Sequence, residues 1–469
     1  MSKDKVASVA KIGIIYTLSN MLVKGMAFLT TPVFARLMTK AEFGDFGNIS
    51  SWANIISIVV TLQLYVSIVR AKYDYKEDLD KYLSSILILG NIITLVWWGV
   101  IELNISFFEN LFDMSRFYIR VLFIYALFSP AMQLLMYKNR ISSKYKGVVA
   151  LTWVTLVSAT GGSVVLMLLM SNRLTGRVLG NYGLVALVDV ALWIYVLVKG
   201  KCVSPKFWKY ALTFSIPLIP HELAGQLLIS SDRIIIKKLC GAEDAALYTL
   251  AYTISMMASV LLSSMNQAIQ PWLYDKMEEG NKKEIRKISI PYTLFFAAGC
   301  VAIMLIGPEV VYIFGAGKYK DALYVIPPVC YGVMLQFIYT LYANVEFYEK
   351  KTGWISAATL VSAGLNVGLN FLLIPIFGYI AAAYTTAIGF AFMVLFHCLV
   401  VRFKTEYWEM YNLKILLCIL LGVTVMTGLV LVLYSFVIIR YIVILLFAVG
   451  IVIGIVKNKE MIKTLIKKR

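Results

Sequence analysis

The chain has 469 residues, 60% of them hydrophobic, with a mean hydropathy of +0.79 and 44 Lys and Arg against 26 Asp and Glu for a net charge of +18. Nearly the whole length falls into about fourteen apolar stretches, each close to the roughly 20 residues a helix needs to cross a bilayer, which excludes a soluble domain of any size. The basic residues sit at successive helix ends instead of on one soluble face, which excludes nucleic-acid binding and assigns the positive charge to topology and to anionic lipid headgroups.

The predicted spans are 8–36, 46–69, 82–103, 117–136, 148–170, 179–198, 210–232, 246–271, 288–314, 322–344, 354–376, 379–401, 413–434 and 437–456. Runs such as Ile415–Leu433 and Tyr441–Val456 are continuously apolar, unlike the alternating strands of about ten residues in a membrane barrel. The first span is too long for a signal-peptide core and lacks a cleavage site after it, so it is expected to stay in the mature protein. It holds Lys24 near Asn20. A lysine that deep cannot easily snorkel, so it reads as cavity-facing, with an ion pair inside the bundle or snorkelling as the alternatives. Asp45 enters the second span, where a carboxylate serves a site or simply favours the helix N-terminus. Glu109 and Asp113 share an outer loop and read as a solvated face.

Asp189 lies in the sixth span between Val188 and Val190 and needs a cation from another helix or a proton. Pro220-His221-Glu222 interrupts the seventh, a break tolerated where a cavity or a neighbouring helix satisfies the freed backbone. Asp232-Arg233 at its exit reads equally as a local pair and as a ligand contact. The eighth span carries Asn266, Gln267 and Gln270 as a polar stripe, with Gln267 and Gln270 on one helical face. Glu309 follows Gly307-Pro308 at headgroup depth, Asn344 and Glu346 come next, and Asn366 and Asn370, four apart, suit hydrogen bonding between helices. The six cysteines, Cys202, Cys240, Cys300, Cys330, Cys398 and Cys418, have no paired spacing and read as small core residues. His221 and His397 lack ligand-spaced companions, so neither a metal nor a cofactor is expected.

Orientation follows from the excess of Lys and Arg in cytoplasmic loops. One side collects Lys3 and Lys5, Arg70 to Lys81, Lys138 to Lys146, Lys199 to Lys209, Lys276 to Lys287, Lys350 and Lys351, Arg402 to Lys414, and the tail from Lys457 to Arg469. The other side carries fewer, so both termini are expected in the cytoplasm and the tail is expected to anchor at the inner surface.

Arg36-Leu37-Met38-Thr39-Lys40-Ala41-Glu42-Phe43-Gly44-Asp45-Phe46 after the first span matches in layout the stretch from Arg233 to Tyr248 after the seventh, and each half then runs into a charged cytoplasmic stretch. The offset of about 200 residues is that of a half with six helices. An even number of spans per half makes the repeat parallel, with its axis along the membrane normal. The expected organisation is an all-α polytopic membrane protein of two six-helix lobes, 1–204 and 205–404, with two extra helices and a basic tail in 405–469.

Two homologous bundles that rock against each other suit transport by alternating access. A membrane-embedded glycan polymerase or glycosyltransferase is an alternative, set back by short outer loops and the lack of a catalytic carboxylate pair. Pro32-Val33-Phe34-Ala35-Arg36-Leu37 with Glu42-Phe43-Gly44-Asp45-Phe46, and Ser231-Asp232-Arg233 through Ala246-Leu247-Tyr248, resemble the first-helix turn and its second-half counterpart in the Wzx-type polysaccharide flippases. These belong to the MOP superfamily, with the lipid II flippase MurJ and the multidrug MATE antiporters.

The resemblance implies a non-enzymatic flippase that moves undecaprenyl-pyrophosphate-linked oligosaccharide repeat units to the outer leaflet of the plasma (inner) membrane, for O-antigen, capsule or exopolysaccharide assembly. Polysaccharide polymerase machinery is then an expected partner. The resemblance also implies a cationic central cavity, with Lys24 on the position of a first-helix arginine and Asp45 on a functional aspartate. Lysine is a point charge without arginine's fork, and Arg233, Arg36 and Arg402 are the candidates to complete the site. The rest of the lining is drawn from Asn20, Asn266, Gln267 and Gln270. Ion coupling, by proton or sodium, is drawn from Asp189 and Glu222. A MATE-like cation-coupled antiporter is the main competing reading.

Overall fold

A computed structural model describes residues 28–142 and 145–457. Among these residues every regular element is helical and no strand occurs. Among the described residues eleven helices are long and apolar enough to cross a membrane, or twelve when the bent pair Lys40–Thr61 and Leu64–Asp74 counts as one. Of the expected spans, 8–36 falls mostly outside the described residues, and 437–456 coincides with the helix Val437–Lys457.

Packing separates two compact units. One holds the described chain up to Thr249 together with Thr359–Ala382, and the other holds Leu250–Ala358 and the described chain from Ala383 onward.

In the first unit, the helix Lys40–Thr61 starts from a reciprocal cap. The Thr39 hydroxyl accepts from the Glu42 N–H at 3.2 Å, and the Thr39 N–H donates to the Glu42 carboxylate at 2.8 Å. The helix stops because Leu62 and Gln63 take left-handed φ values of 48° and 47°. The next segment, beginning at Leu64, departs at 57°, so the expected span 46–69 is broken. Ser215 helps hold the break by donating from its hydroxyl to the Gln63 carbonyl at 3.5 Å.

Tyr82, Leu83, Ile86 and Leu87 on Leu79–Leu103 form the unit's core with Ala131, Leu134, Val196 and Phe207. Two π-helical turns, Val157–Gly161 and Leu179–Leu184, lie against each other. Such turns are rare and concentrate at functional positions.

Ile219–Cys240 packs along Lys40–Thr61. Gly241, at φ 94°, turns the chain into Ala242–Glu278, a conformation that costs a residue with Cβ. At Gly44 a Cβ would lie 1.8 Å from the Ala242 carbonyl oxygen, so the glycine of Glu42-Phe43-Gly44-Asp45-Phe46 lets the backbones touch.

In the second unit, Lys282–Leu305 packs on Ile326–Tyr348 and on Leu413–Leu433, with the Phe296 and Phe337 rings stacked at 4.3 Å. Leu417, Leu421, Val425 and Leu429 on Leu413–Leu433 are 44% to 65% exposed, an apolar outer face suited to lipid. Arg440, itself buried, forms a fork with Glu309 at 3.2 and 2.5 Å, and the Tyr441 hydroxyl donates to the same carboxylate at 2.8 Å. A bidentate guanidinium–carboxylate pair of this kind fixes orientation as well as contributing energy. It ties Val437–Lys457 to the short helix Gly307–Gly315.

Of the six cysteines, Cys300 and Cys330 are buried, Cys202, Cys240 and Cys398 are half-buried, and Cys418 is exposed. The core reading therefore holds for two of them.

Candidate functional site

The capped start of Lys40–Thr61 aims Asp45 at Lys237 on Ile219–Cys240. The Lys237 ammonium lies 2.9 Å from Asp45 Oδ1 and 3.4 Å from Asp113 Oδ2, and it donates to the Asp113 carbonyl at 2.5 Å. Around it is a cavity of about 330 Å³ lined by Asp45, Glu109, Asp113, Ser115, Tyr118 and Lys237, among others. Asp45 is therefore an ion-paired residue on a wet polar recess, and Glu109 and Asp113 do more than decorate a solvated loop. Arg116 clamps Glu109 through Nη2 to Oε2 at 2.8 Å and its own N–H to Oε1 at 2.8 Å. These bonds hold the Glu109 carboxyl below the usual glutamate range.

Deeper in the same unit, Asp232 is fully buried. It accepts from the Tyr248 hydroxyl and, at 2.7 Å, from the Asn370 amide. The Ser231 hydroxyl and Asn370 both donate to Asn366 Oδ1, at 3.2 and 3.3 Å. Ser231, Asp232, Asn366 and Asn370 thus form one buried polar network across two helices. Such networks are costly unless satisfied, and a carboxylate with amide and hydroxyl oxygens beside it is the donor set that suits a proton or a small hard cation. Arg233 is half-buried beside this network.

Asp189 is 1% exposed. Its Oδ1 has no hydrogen-bond partner, and no cation lies within ion-pair distance of it among the described residues. It follows the second π turn, one helical turn before Trp193, whose indole N–H donates to Asn91 Oδ1 at 2.9 Å. Pro220 falls in the first turn of Ile219–Cys240, after a 3-10 turn Ile216–Leu218, which is where the sequence places the interruption. Glu222 is exposed and borders a small pocket with Gln63, Ser215 and Ile219.

In the second unit, Asn344 donates to Asn266 Oδ1 at 2.8 Å, and Gln270 donates to Asn344 Oδ1 at 3.3 Å. Gln267 is exposed and donates to Ser263 at 3.2 Å. The helical face that meets is 266/270, about 40° apart, in place of 267/270, about 60° apart. Glu346 and His397 are likewise brought together, buried, at 2.7 Å, a pairing across 51 positions that no local spacing announces.

Asn20 and Lys24 lie outside the described residues. Arg36 and Arg402 are exposed. Among the described residues no group of three or more His, Cys, Asp and Glu could hold a metal.

A family model described as a polysaccharide biosynthesis protein matches residues 9–277. A membrane protein of Haemophilus influenzae is 24% identical over 378 residues, covering 77% of this chain and 89% of that protein. A Haloferax volcanii protein named probable low-salt glycan biosynthesis flippase Agl15 is 21% identical over 394 residues, covering 81% and 80%.

Among solved structures, the lipid II flippase MurJ in an inward closed conformation aligns with a TM-score of 0.71 at 14% identity, covering 96% of this chain and all of that one. An inward-facing multidrug MATE transporter of the MOP superfamily aligns at 0.58 and 14% identity, covering 89% and 99%. At these identities the likeness shows a shared fold.

Proposed function

The chain belongs to the polysaccharide biosynthesis protein family, and from that premise we propose that it is a flippase for lipid-linked oligosaccharides, the cargo an undecaprenyl-pyrophosphate-linked repeat unit crossing the cytoplasmic membrane. The observation that carries this reading is the pairing of that family match with end-to-end likeness to a lipid II flippase, 96% of one chain on 100% of the other. No bond is made or broken in such a step, so the polar groups serve to bind and to release.

Two costs must be offset: desolvation of the sugar headgroup and passage of a diphosphate through a low-dielectric interior. The lobes 1–204 and 205–404 alternate access to a cavity in which Lys24, with Arg233 or Arg36, attracts the diphosphate, while amides such as Asn266 and Gln270 replace water around the sugars. The polyprenyl tail stays in lipid. The cavity beside Asp45 is lined by three carboxylates, Asp45, Glu109 and Asp113, held by the two cations Lys237 and Arg116, a net negative lining that suits a diphosphate poorly, and Asp45 acts through its ion pair. For ion coupling, Asp189 is better placed than the exposed Glu222, because it is buried with no cation within ion-pair distance among the described residues. Both termini are assigned to the cytoplasm, and polysaccharide polymerase machinery is assigned as the downstream partner.

Asp189 is also the observation that favours the competing cation-coupled antiporter. A strain lacking its own oligosaccharide flippase separates the two. Expression of this chain should restore surface polysaccharide and clear the lipid-linked precursor from the inner leaflet. Dye or drug efflux with no such rescue would establish the antiporter instead.

A further inference from the structure

One buried ionisable pair of the second unit belongs neither to the amide cluster nor to the outer recess. Glu346, near the end of Ile326–Tyr348, and His397, in Ala381–Lys404, are each 0% exposed, with His397 Nδ1 2.7 Å from Glu346 Oε1. The second polar atom of each, Glu346 Oε2 and His397 Nε2, is buried without a hydrogen-bond partner among the described residues. The imidazole stacks on Tyr339 at 5.6 Å and meets Phe396 edge-on at 5.9 Å, so its plane is fixed by packing.

A pair kept only for structure has its polar atoms satisfied, since a buried orphan loses its hydration with no bond in return. Here two orphans flank one bond. With one proton between them the residues are neutral overall, with none they are an anion, and with two a cation, so the proton count belongs to the pair and not to either residue.

Among the described residues, the surroundings supply no compensating charge. On Ile326–Tyr348 and Ala381–Lys404 the neighbouring titratable groups are Tyr339, Tyr342, which hydrogen-bonds Cys398, and Tyr348. Arg402, one turn beyond Cys398, is exposed. Lys282–Leu305 contributes Tyr292, the 408–411 turn Tyr411, and Ala242–Glu278 Tyr274, beside Lys276 already paired with Glu279 and Glu284. Thr352–Phe377 contributes Trp354, against Phe396. On Leu413–Leu433 both Lys414 and Cys418 are exposed. At the rim, Lys351 pairs with Glu349 at 3.5 Å and donates to the Lys404 carbonyl, linking the ends of the two helices that carry the pair.

We propose that Glu346 and His397 form a proton-binding site. Closed, it holds the single shared proton. When the helix ends linked by Lys351 part and water enters, Glu346 and His397 take a second proton from water and become a carboxylic acid beside an imidazolium. Reclosure requires that proton to leave, because a net charge in the dry interior is costly. Binding of the proton stands without any assumption about cargo, whereas its coupling to transport rests on the flippase reading.

The test uses the purified full-length chain. Infrared difference spectra recorded between about pH 5 and 8, the range in which histidine-containing sites titrate, should show a buried carboxylic-acid band that grows on acidification. It should be absent in Glu346→Gln and shifted in His397→Gln, with proton uptake reduced by about one per chain. The double variant Glu346→Gln with His397→Gln leaves a neutral pair and serves as the folded control if a single variant fails to accumulate. Absence of any Glu346-dependent band in folded wild-type protein overturns the site, whatever the cargo. In vesicles loaded with polyprenyl-diphosphate oligosaccharide, an imposed pH gradient should alter flipping by wild type and not by the double variant. Equal gradient dependence in both, with the band present, overturns the coupling; no flipping by wild type refutes the flippase reading and leaves the site standing.

Discussion

Lys237→Met keeps the reach of the side chain and removes its charge. The lysine is 10% exposed and is shared by Asp45, 30% exposed, and Asp113, 52% exposed. Its loss leaves two carboxylates facing each other across a cavity that already contains Glu109. Breaking a fully buried pair costs about 3–5 kcal/mol, and an exposed pair contributes about 0–1 kcal/mol. The ammonium is nearly covered while Asp113 is open to solvent, so the expected loss is about 2 kcal/mol. Thermal unfolding in detergent, followed by tryptophan fluorescence, should show a Tm lower by about 2–5 °C, with part of the gap closing in high salt through screening. Asp45→Asn should be less damaging in the Lys237→Met background than in wild type, giving a coupling of about 1–2 kcal/mol. Additivity within about 0.3 kcal/mol would show that the pair does not hold these segments together.

Gly44→Val should abolish accumulation of folded protein, because the clash is with the backbone of Ala242 and overpacking that cannot relax costs about 3 kcal/mol or more. Gly99→Ala, with nothing within 4 Å of the new Cβ, should be neutral in the same membrane-abundance measurement. A reporter active only outside the cytoplasm should be active when fused after Arg440 or within Gly315–Asp321 and silent at Lys201 or Lys467; the reverse pattern refutes the orientation drawn from Lys and Arg. Lys24→Ala should reduce polysaccharide export at unchanged abundance while Lys24→Arg retains most of it. Normal export by Lys24→Ala would make the lysine structural.

The spans were legible because crossing a bilayer imposes one length and one chemistry on each segment, which is why 354–376 and 379–401 reappear within a residue or two at their N-terminal ends as Thr352–Phe377 and Ala381–Lys404. The break after Thr61 was not, since it rests on two non-glycine residues in left-handed geometry that no composition rule marks. Site residues were legible as types and not as partners. A buried Asp, Asn or His stands out in an apolar run, yet what it touches depends on packing across distant helices. Asn370 reaches Asp232 over 138 positions and Lys237 reaches Asp113 over 124. The eighth-span stripe shows the limit within one helix: all three amides are visible in the sequence, and only the tertiary partner Asn344 shows that Asn266 and Gln270 share a face with it.

Carriage of a glycan across a bilayer on its lipid can be followed with the purified protein in sealed vesicles. A polyprenyl-diphosphate oligosaccharide is placed in one leaflet, and a membrane-impermeant glycosidase is added on the opposite side. Cleavage should be time-dependent, require the protein and slow in Lys24→Ala. Cleavage no faster than in protein-free vesicles, from protein shown to be folded and inserted, would contradict it.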